Sequence, residues 1–285
     1  MTIPKIIHQT WKTENIPTEF RSFVNSWKTK NADWHYVLWT DRDCKRFIKA
    51  NYPDFLKLYN AYDEQIKRID AFRYFLLHHC GGLYVDIDFE CLKPFDVLTN
   101  SENKCLLGLE PELHAKRLYN KNRLICNAIM ASPPKHKFWE HVFTTLIKCR
   151  NEKNVLEATG PGMLGKAFDS YHDEDVVLFP DNMFCPLVDM SNKELALTEA
   201  EQQYYTDMLK NHSFPDVSHA VHHWAGTWYS KGVRVRLGRI FTRLSAHFKG
   251  RLSKESLSET YFLAINEVKR IRENGTEAME HEKEA

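Results

Sequence analysis

The segment DEQIKRIDAFRYFLLHHCGGLYVDIDFE, Asp63 to Glu90, joins the best helical pattern in the chain to a short apolar run carrying two aspartates. In its first half Ile66, Asp70, Arg73 and Leu77 recur at spacings of four, three and four, one stripe of an α-helix. Ile69, Phe72 and Leu76 make an apolar stripe beside it. Asp70 and Arg73 are therefore charges on or beside a buried face. Cys80-Gly81-Gly82 ends the helix, as glycine commonly does. LYVDIDF then reads as a central strand, in which residues two apart face the same side. Asp86 and Asp88 would point the same way and repel, unless something positive lies between them.

Upstream, KIIHQTW and WHYVLWT read as strands. Each precedes a helix, PTEFRSFVNSWKTK with Pro17 at its start and DRDCKRFIKANY with Asp41 as its N-cap. Downstream, KCLLGLE, CNAIMAS, VVLFP and SHAVHHW are strand-like, and PPKHKFWEHVFTTLIKCR and the segment after ATGPGM are helical. Alternating strands and helices over 285 residues, 43% of them hydrophobic, predict an α/β domain with a mainly parallel sheet. A net charge of +1 excludes nucleic-acid binding by bulk electrostatics. The seven cysteines are scattered, with no C-x-x-C pair, against a zinc ribbon or disulfide framework and in keeping with a reducing compartment. No apolar run reaches the length of a membrane span and the N-terminus lacks a long apolar signal core, so the expected location is cytoplasmic.

The chemical reading of D-x-D is a divalent cation site. Hard carboxylate oxygens suit Mn²⁺ or Mg²⁺, which commonly bridge to a phosphate. The plainer alternative is a strand-end turn with solvated carboxylates. For Asp70 and Arg73 the plainer alternative is a surface salt bridge.

The ordered string Arg68, Asp70, Arg73, Gly81, Gly82, Tyr84, Asp86 and Asp88 resembles the signature of the D-x-D sugar transferases of glycosyltransferase family 32. That family includes yeast initiating mannosyltransferases, and the catalytic domains of clostridial glucosylating toxins share the signature. IPKIIHQTWK, TGPGML and HHWAGTW agree, so the resemblance runs from about Ile3 to Trp228. It implies a GT-A-type, Rossmann-like mixed sheet flanked by helices over 1–230, with a helical C-terminal extension over 231–285. It also implies metal-dependent, retaining transfer of a hexose from a UDP- or GDP-sugar to a glycan, glycolipid or protein acceptor, with a role in surface polysaccharide synthesis. Residue by residue, Trp11 would stack near the base, and Asp70 and Arg73 would hold sugar hydroxyls and the diphosphate surroundings. Asp88 would bind the metal, and Asp86 the ribose or metal-bound water. His222, rather than His223, would approach the metal. Tyr84 and Trp228 join the donor side. Asn127, Thr159 and Gly160 border the acceptor side. Thr159 is equally readable as a helix cap, and Trp224 and Trp228 as core.

Two rivals share parts of the pattern. A haloacid-dehalogenase phosphatase also uses D-x-D after a strand, but near the start of its chain. A non-catalytic carbohydrate-binding module would lack the paired aspartates. Between Lys231 and Lys254 there are eight Lys or Arg and no Asp or Glu, after which the chain turns acidic. That run predicts peripheral contact with an anionic inner membrane face.

Overall fold

The structure, a computed structural model, describes residues 1–99 and 104–226. Trp228, the basic run 231–254 and the predicted C-terminal extension lie outside the described residues. The strands are β1 (Ile6–Trp11), β2 (His35–Thr40), β3 (Gly82–Val85), β4 (Phe89–Cys91), β5 (Cys105–Leu109), β6 (Ile125–Ser132), β7 (Val176–Phe179) and β8 (Ala220–His222). The helices are α1 (Thr18–Lys30), α2 (Asp41–Asn51), α3 (Leu56–Ala61), α4 (Gln65–Cys80) and α5 (Asp96–Thr99). They continue with α6 (Lys137–Lys148), α7 (Val155–Ala158), α8 (Pro161–Asp169), α9 (Asp181–Phe184) and α10 (Glu199–Lys210).

Six strands form one mixed sheet in the order β2-β1-β3-β6-β5-β7. β2, β1, β3, β5 and β7 run one way, and β6 runs against its neighbours β3 and β5. Side chains alternate between the faces, as the period of two requires. Ile6, Tyr84 and Leu107 pack into the layer of α2, α4, α6 and α8. Ile7, Leu83 and Leu106 pack into the opposite layer, with Trp27 of α1 and Phe184 of α9. Helix α4 lies deep: Phe72, Leu76 and Leu77 are fully buried, each worth roughly 2 kcal/mol.

The junction between α4 and β3 needs glycine twice. Gly81 has φ +66° and Gly82 φ +91°, a region costly for other residues. A Cβ on Gly82 would sit 2.7 Å from the Ile6 carbonyl oxygen, and one on Gly81 2.7 Å from Pro134. Only a chain without Cβ at both places turns from α4 directly into β3.

Three expectations change. LYVDIDF is not one strand: β3 stops at Val85, and the Phe89 N–H donates to the Asp86 carbonyl (3.2 Å), closing a tight turn before β4. The reason lies between the aspartates, where Ile87 is buried against Phe20, Phe23 and Val24. Thr40, not Asp41, caps α2: the Thr40 hydroxyl accepts the Asp43 N–H and the Asp43 carboxylate accepts the Thr40 N–H. The late strand shortens to β8, which pairs with β4 outside the main sheet.

Candidate functional site

A cavity of about 820 Å³ opens at the carboxyl edge of the parallel strands, where open α/β sheets place their ligands. Trp11 at the end of β1, Asp41 after β2, Asp86 and Asp88 after β3, Glu110 after β5 and Asn127 near the start of β6 all line it. Asp70 and Arg73 reach it from α4, and His222 from β8.

Asp70 and Arg73 are not a surface pair. They are 3% and 2% exposed, and Arg73 Nη2 lies 3.2 Å from Asp70 Oδ1. Asp70 also accepts from Asn127 Nδ2 (3.0 Å) and from the Thr159 hydroxyl (2.9 Å). Burial pushes its carboxyl up to about 6 against the pull of Arg73 and these donors. Arg73 donates to the Asn127 carbonyl (2.7 Å), lies 3.4 Å from Asp86 Oδ1, and stacks 4.6 Å over the Tyr84 ring.

Each aspartate of the D-x-D pair has its own cation. Asp86 faces Arg73 and accepts from the Tyr84 hydroxyl (2.6 Å). Asp88 Oδ1 lies 3.3 Å from His222 Nε2, and Oδ2 accepts the Ala225 N–H (2.9 Å). The two carboxyls are driven apart. Burial raises Asp86 above the ordinary carboxylate value despite Arg73, whereas His222 and the Ala225 N–H outweigh burial at Asp88 and hold it below. Burial lowers His222, but the Asp88 charge outweighs it and the imidazole rises to about 9.

Asp86 and Asp88 suit a hard cation that takes its remaining ligands from water and phosphate. Among the described residues no group of three or more His, Cys, Asp or Glu is placed to hold a metal. His222, expected as a metal ligand, is the charge partner of Asp88 in this structure. It lines the cavity, with its ring stacked on Phe89 (4.3 Å) and the tilted ring of Trp224 3.9 Å away. His223 turns away to Glu90 (3.0 Å), so the two histidines face opposite sides as alternation requires.

Three expected contact residues stand behind the cavity wall. Tyr84 is fully buried and holds Asp86; its oxygen also lies 3.0 Å from Thr10 Oγ1. Thr159 is fully buried and spends its hydroxyl on Asp70 rather than on capping α8. Gly160 is the N-cap residue of α8, and it is Pro161 that reaches the cavity. Trp11 does line the cavity, braced by Phe20 at 5.4 Å. Sequence reasoning passed over Glu110, His114 and Asp189, which form the far wall. For Glu110 a signal existed: it directly follows a strand, as Asp86 does.

An α/β sheet with paired aspartates and a buried Asp–Arg pair at its carboxyl edge defines a candidate nucleotide-sugar site. The chain matches, over residues 17–104, the family described as glycosyltransferase sugar-binding region containing DXD motif. It is homologous to yeast mannosyltransferases. Inositol phosphoceramide mannosyltransferase 1 of Schizosaccharomyces pombe is 34% identical over 177 residues, 59% of this chain and 52% of that protein. Mannosyl phosphorylinositol ceramide synthase SUR1 of Saccharomyces cerevisiae is 39% identical over 174 residues, 59% of this chain and 42% of that protein. The chain thus spans about half the length of these curated relatives. Among solved structures, the PaToxG glycosyltransferase is similar with a TM-score of 0.44 and 23% identity, over 59% of this chain and 69% of that one.

Proposed function

We propose that the protein transfers a hexose, with mannose the first candidate, from a nucleotide-diphosphate sugar to a glycolipid or glycan acceptor. The observation that carries this reading is a buried carboxylate, Asp70, fixed by Arg73, Asn127 and Thr159 in the same cavity as Asp86 and Asp88. The names of the yeast relatives, mannosyltransferases acting on inositol phosphoceramide, support mannose and a glycolipid.

In this reading Trp11 offers its face to the base. Asp70 accepts hydrogen bonds from sugar hydroxyls, and Arg73 keeps that acceptor ionised and aimed. A divalent cation on Asp86 and Asp88 would neutralise the leaving diphosphate. With His222 beside it, Asp88 stays anionic where the metal is needed. Asp70 is tied down by three neighbours and serves as a hydroxyl acceptor rather than a nucleophile. Retention then follows from displacement on one face of the sugar, with an oxygen of the leaving diphosphate taking the acceptor proton.

The test follows nucleotide release from GDP-mannose, UDP-glucose and UDP-galactose by the full chain with Mn²⁺ or Mg²⁺. One donor should be hydrolysed, EDTA should stop the reaction, and Asp88→Asn should lower it on the order of 100-fold or more while circular dichroism stays unchanged. Release that persists in Asp88→Asn with EDTA present would sink the proposal.

A further inference from the structure

The carboxyl edge of the sheet orders the cavity from side to side. Across it run the ends of β2, β1, β3, β6 and β5, carrying Asp41, Trp11, Asp86, Asn127 and Glu110 in turn. The proposed donor contacts lie at the ends of β1 and β3 and on α4, with Asn127 of β6 holding Asp70. The β5 side is what remains for the second substrate.

Glu110 is built into that side. A register shift between Leu107 and Gly108 re-aims β5 just before it, a common device beside active sites. A π-helical turn, His114–Leu118, follows. His114 is 2% exposed, and its Nε2 accepts the Asp189 N–H at 2.9 Å. That bond assigns the proton of the neutral ring to Nδ1, which lies 3.5 Å from Glu110 Oε2. The ring packs 4.4 Å from Trp224, which lies 3.9 Å from His222, the partner of Asp88. Glu110 is thus braced through His114, Trp224 and His222 against the D-x-D turn, and its side chain is 11% exposed. The other carboxylates of the cavity outside the donor contacts have neighbours of their own, and none of them is braced against the D-x-D turn as Glu110 is. Asp189 Oδ1 accepts from the Ser191 N–H (3.0 Å) and hydroxyl (2.5 Å). Asp41 hydrogen-bonds to Gln65, and Glu64 lies 3.6 Å from Lys67.

We propose that Glu110, oriented by His114, accepts the hydrogen bond of an acceptor hydroxyl, and that the acceptor presents a polyhydroxylated ring, a sugar or an inositol, to this wall. The proposal rests on the glycosyltransferase reading and names a residue and a substrate chemistry for its second half. A carboxylate held by one neutral imidazole keeps acceptor capacity for a substrate hydroxyl. Apolar Leu118 and Trp224 in the same wall suit the C–H face of such a ring.

The experiment compares wild type, Glu110→Gln, Glu110→Asp and His114→Gln as full chains, each with its melting temperature. Nucleotide release to water is measured first, then release and product formation with methyl α-mannoside or myo-inositol added as probes. Glu110→Gln should raise the KM for the effective probe on the order of tenfold, as loss of a charge-assisted hydrogen bond does. That loss should be several times larger than any loss of donor hydrolysis. Glu110→Asp should recover part of it, and His114→Gln should shift the same KM to a smaller extent. Whichever probe responds tells sugar from inositol. A parallel loss of donor hydrolysis and melting temperature in Glu110→Gln would make the residue structural and overturn the proposal, as would an unchanged probe KM. If wild type hydrolyses a donor but neither probe affects it, the polyol wall is wrong while the transferase reading stands. If no donor is hydrolysed, the transferase reading fails first.

Discussion

Asp70 is 3% exposed, and every contact it makes is with a group that donates: Arg73, Asn127 and Thr159. An amide in its place would turn an N–H₂ toward at least one of those donors, a mismatch costing about 1–3 kcal/mol in a buried site. Asp70→Asn should therefore lower transfer on the order of 100-fold, while binding of the bare nucleoside diphosphate moves by less than about threefold. Calorimetric titration with the nucleotide and a transfer assay separate the two effects. Equal losses in both, together with a fall in melting temperature, would mean that Asp70 serves the fold alone. Arg73→Lys is a harsher change than its charge suggests. One ammonium cannot reach the Asn127 carbonyl, Asp70 and Asp86 together as the guanidinium does.

At the scale of elements, β4 and β8 form a small sheet whose position decides where His222 enters the site. Glu90 of β4 fastens it, accepting from His212 beyond α10 (2.8 Å) and from His223 beyond β8 (3.0 Å). Burial works to raise its carboxyl, but those bonds outweigh burial and hold it at about 2. A depressed carboxyl contributes stability above its unfolded value near 4.5, and that contribution is lost as pH falls from there through 2. Glu90→Gln should then lower the melting temperature at pH 6, on the order of 5 °C, and show a shallower decline than wild type below pH 4.5. Thermal scans across pH 3–7 decide it, and curves that stay parallel throughout would refute it.

The same elements show how far the residue pattern could be read. The stripe through Asp70 and Arg73, the two glycines and the alternation of His222 and His223 are local periodicities, and they are legible because helix and strand geometry is local. The D-x-D turn was not. Its period of two matched a strand, and what breaks the strand is Ile87 packing onto α1, a contact with residues more than 60 positions away. Thr159 was equally opaque: its partner Asp70 lies 89 positions off, so a capping role looked as good on the page. Tyr84 belongs to the signature, which implies a donor contact. Burial behind Arg73 makes it a support for Asp86 instead.

On the scale of the whole molecule, the cavity faces one edge of the sheet, while the run 231–254 supplies eight Lys or Arg without a compensating acid to a chain of net charge +1. No helix among the described residues is long and apolar enough to cross a membrane. If the acceptor is a glycolipid, as proposed above, the protein has to meet it at a membrane, and surface charge is one means of staying near it. Basic residues gain on the order of 1 kcal/mol each near an anionic surface. The attraction is screened within about 10 Å at 0.1 M salt. The full chain should therefore sediment with phosphatidylserine vesicles at low salt, release as salt rises, and ignore vesicles of phosphatidylcholine alone. Replacing Arg234, Arg236, Arg239 and Arg243 together with Gln should weaken that binding at least tenfold, with donor hydrolysis in solution as the check that the domain is intact. Binding unaffected by the four substitutions would place the lipid contact elsewhere, and no binding to anionic vesicles at low salt would remove charge as the means of approach.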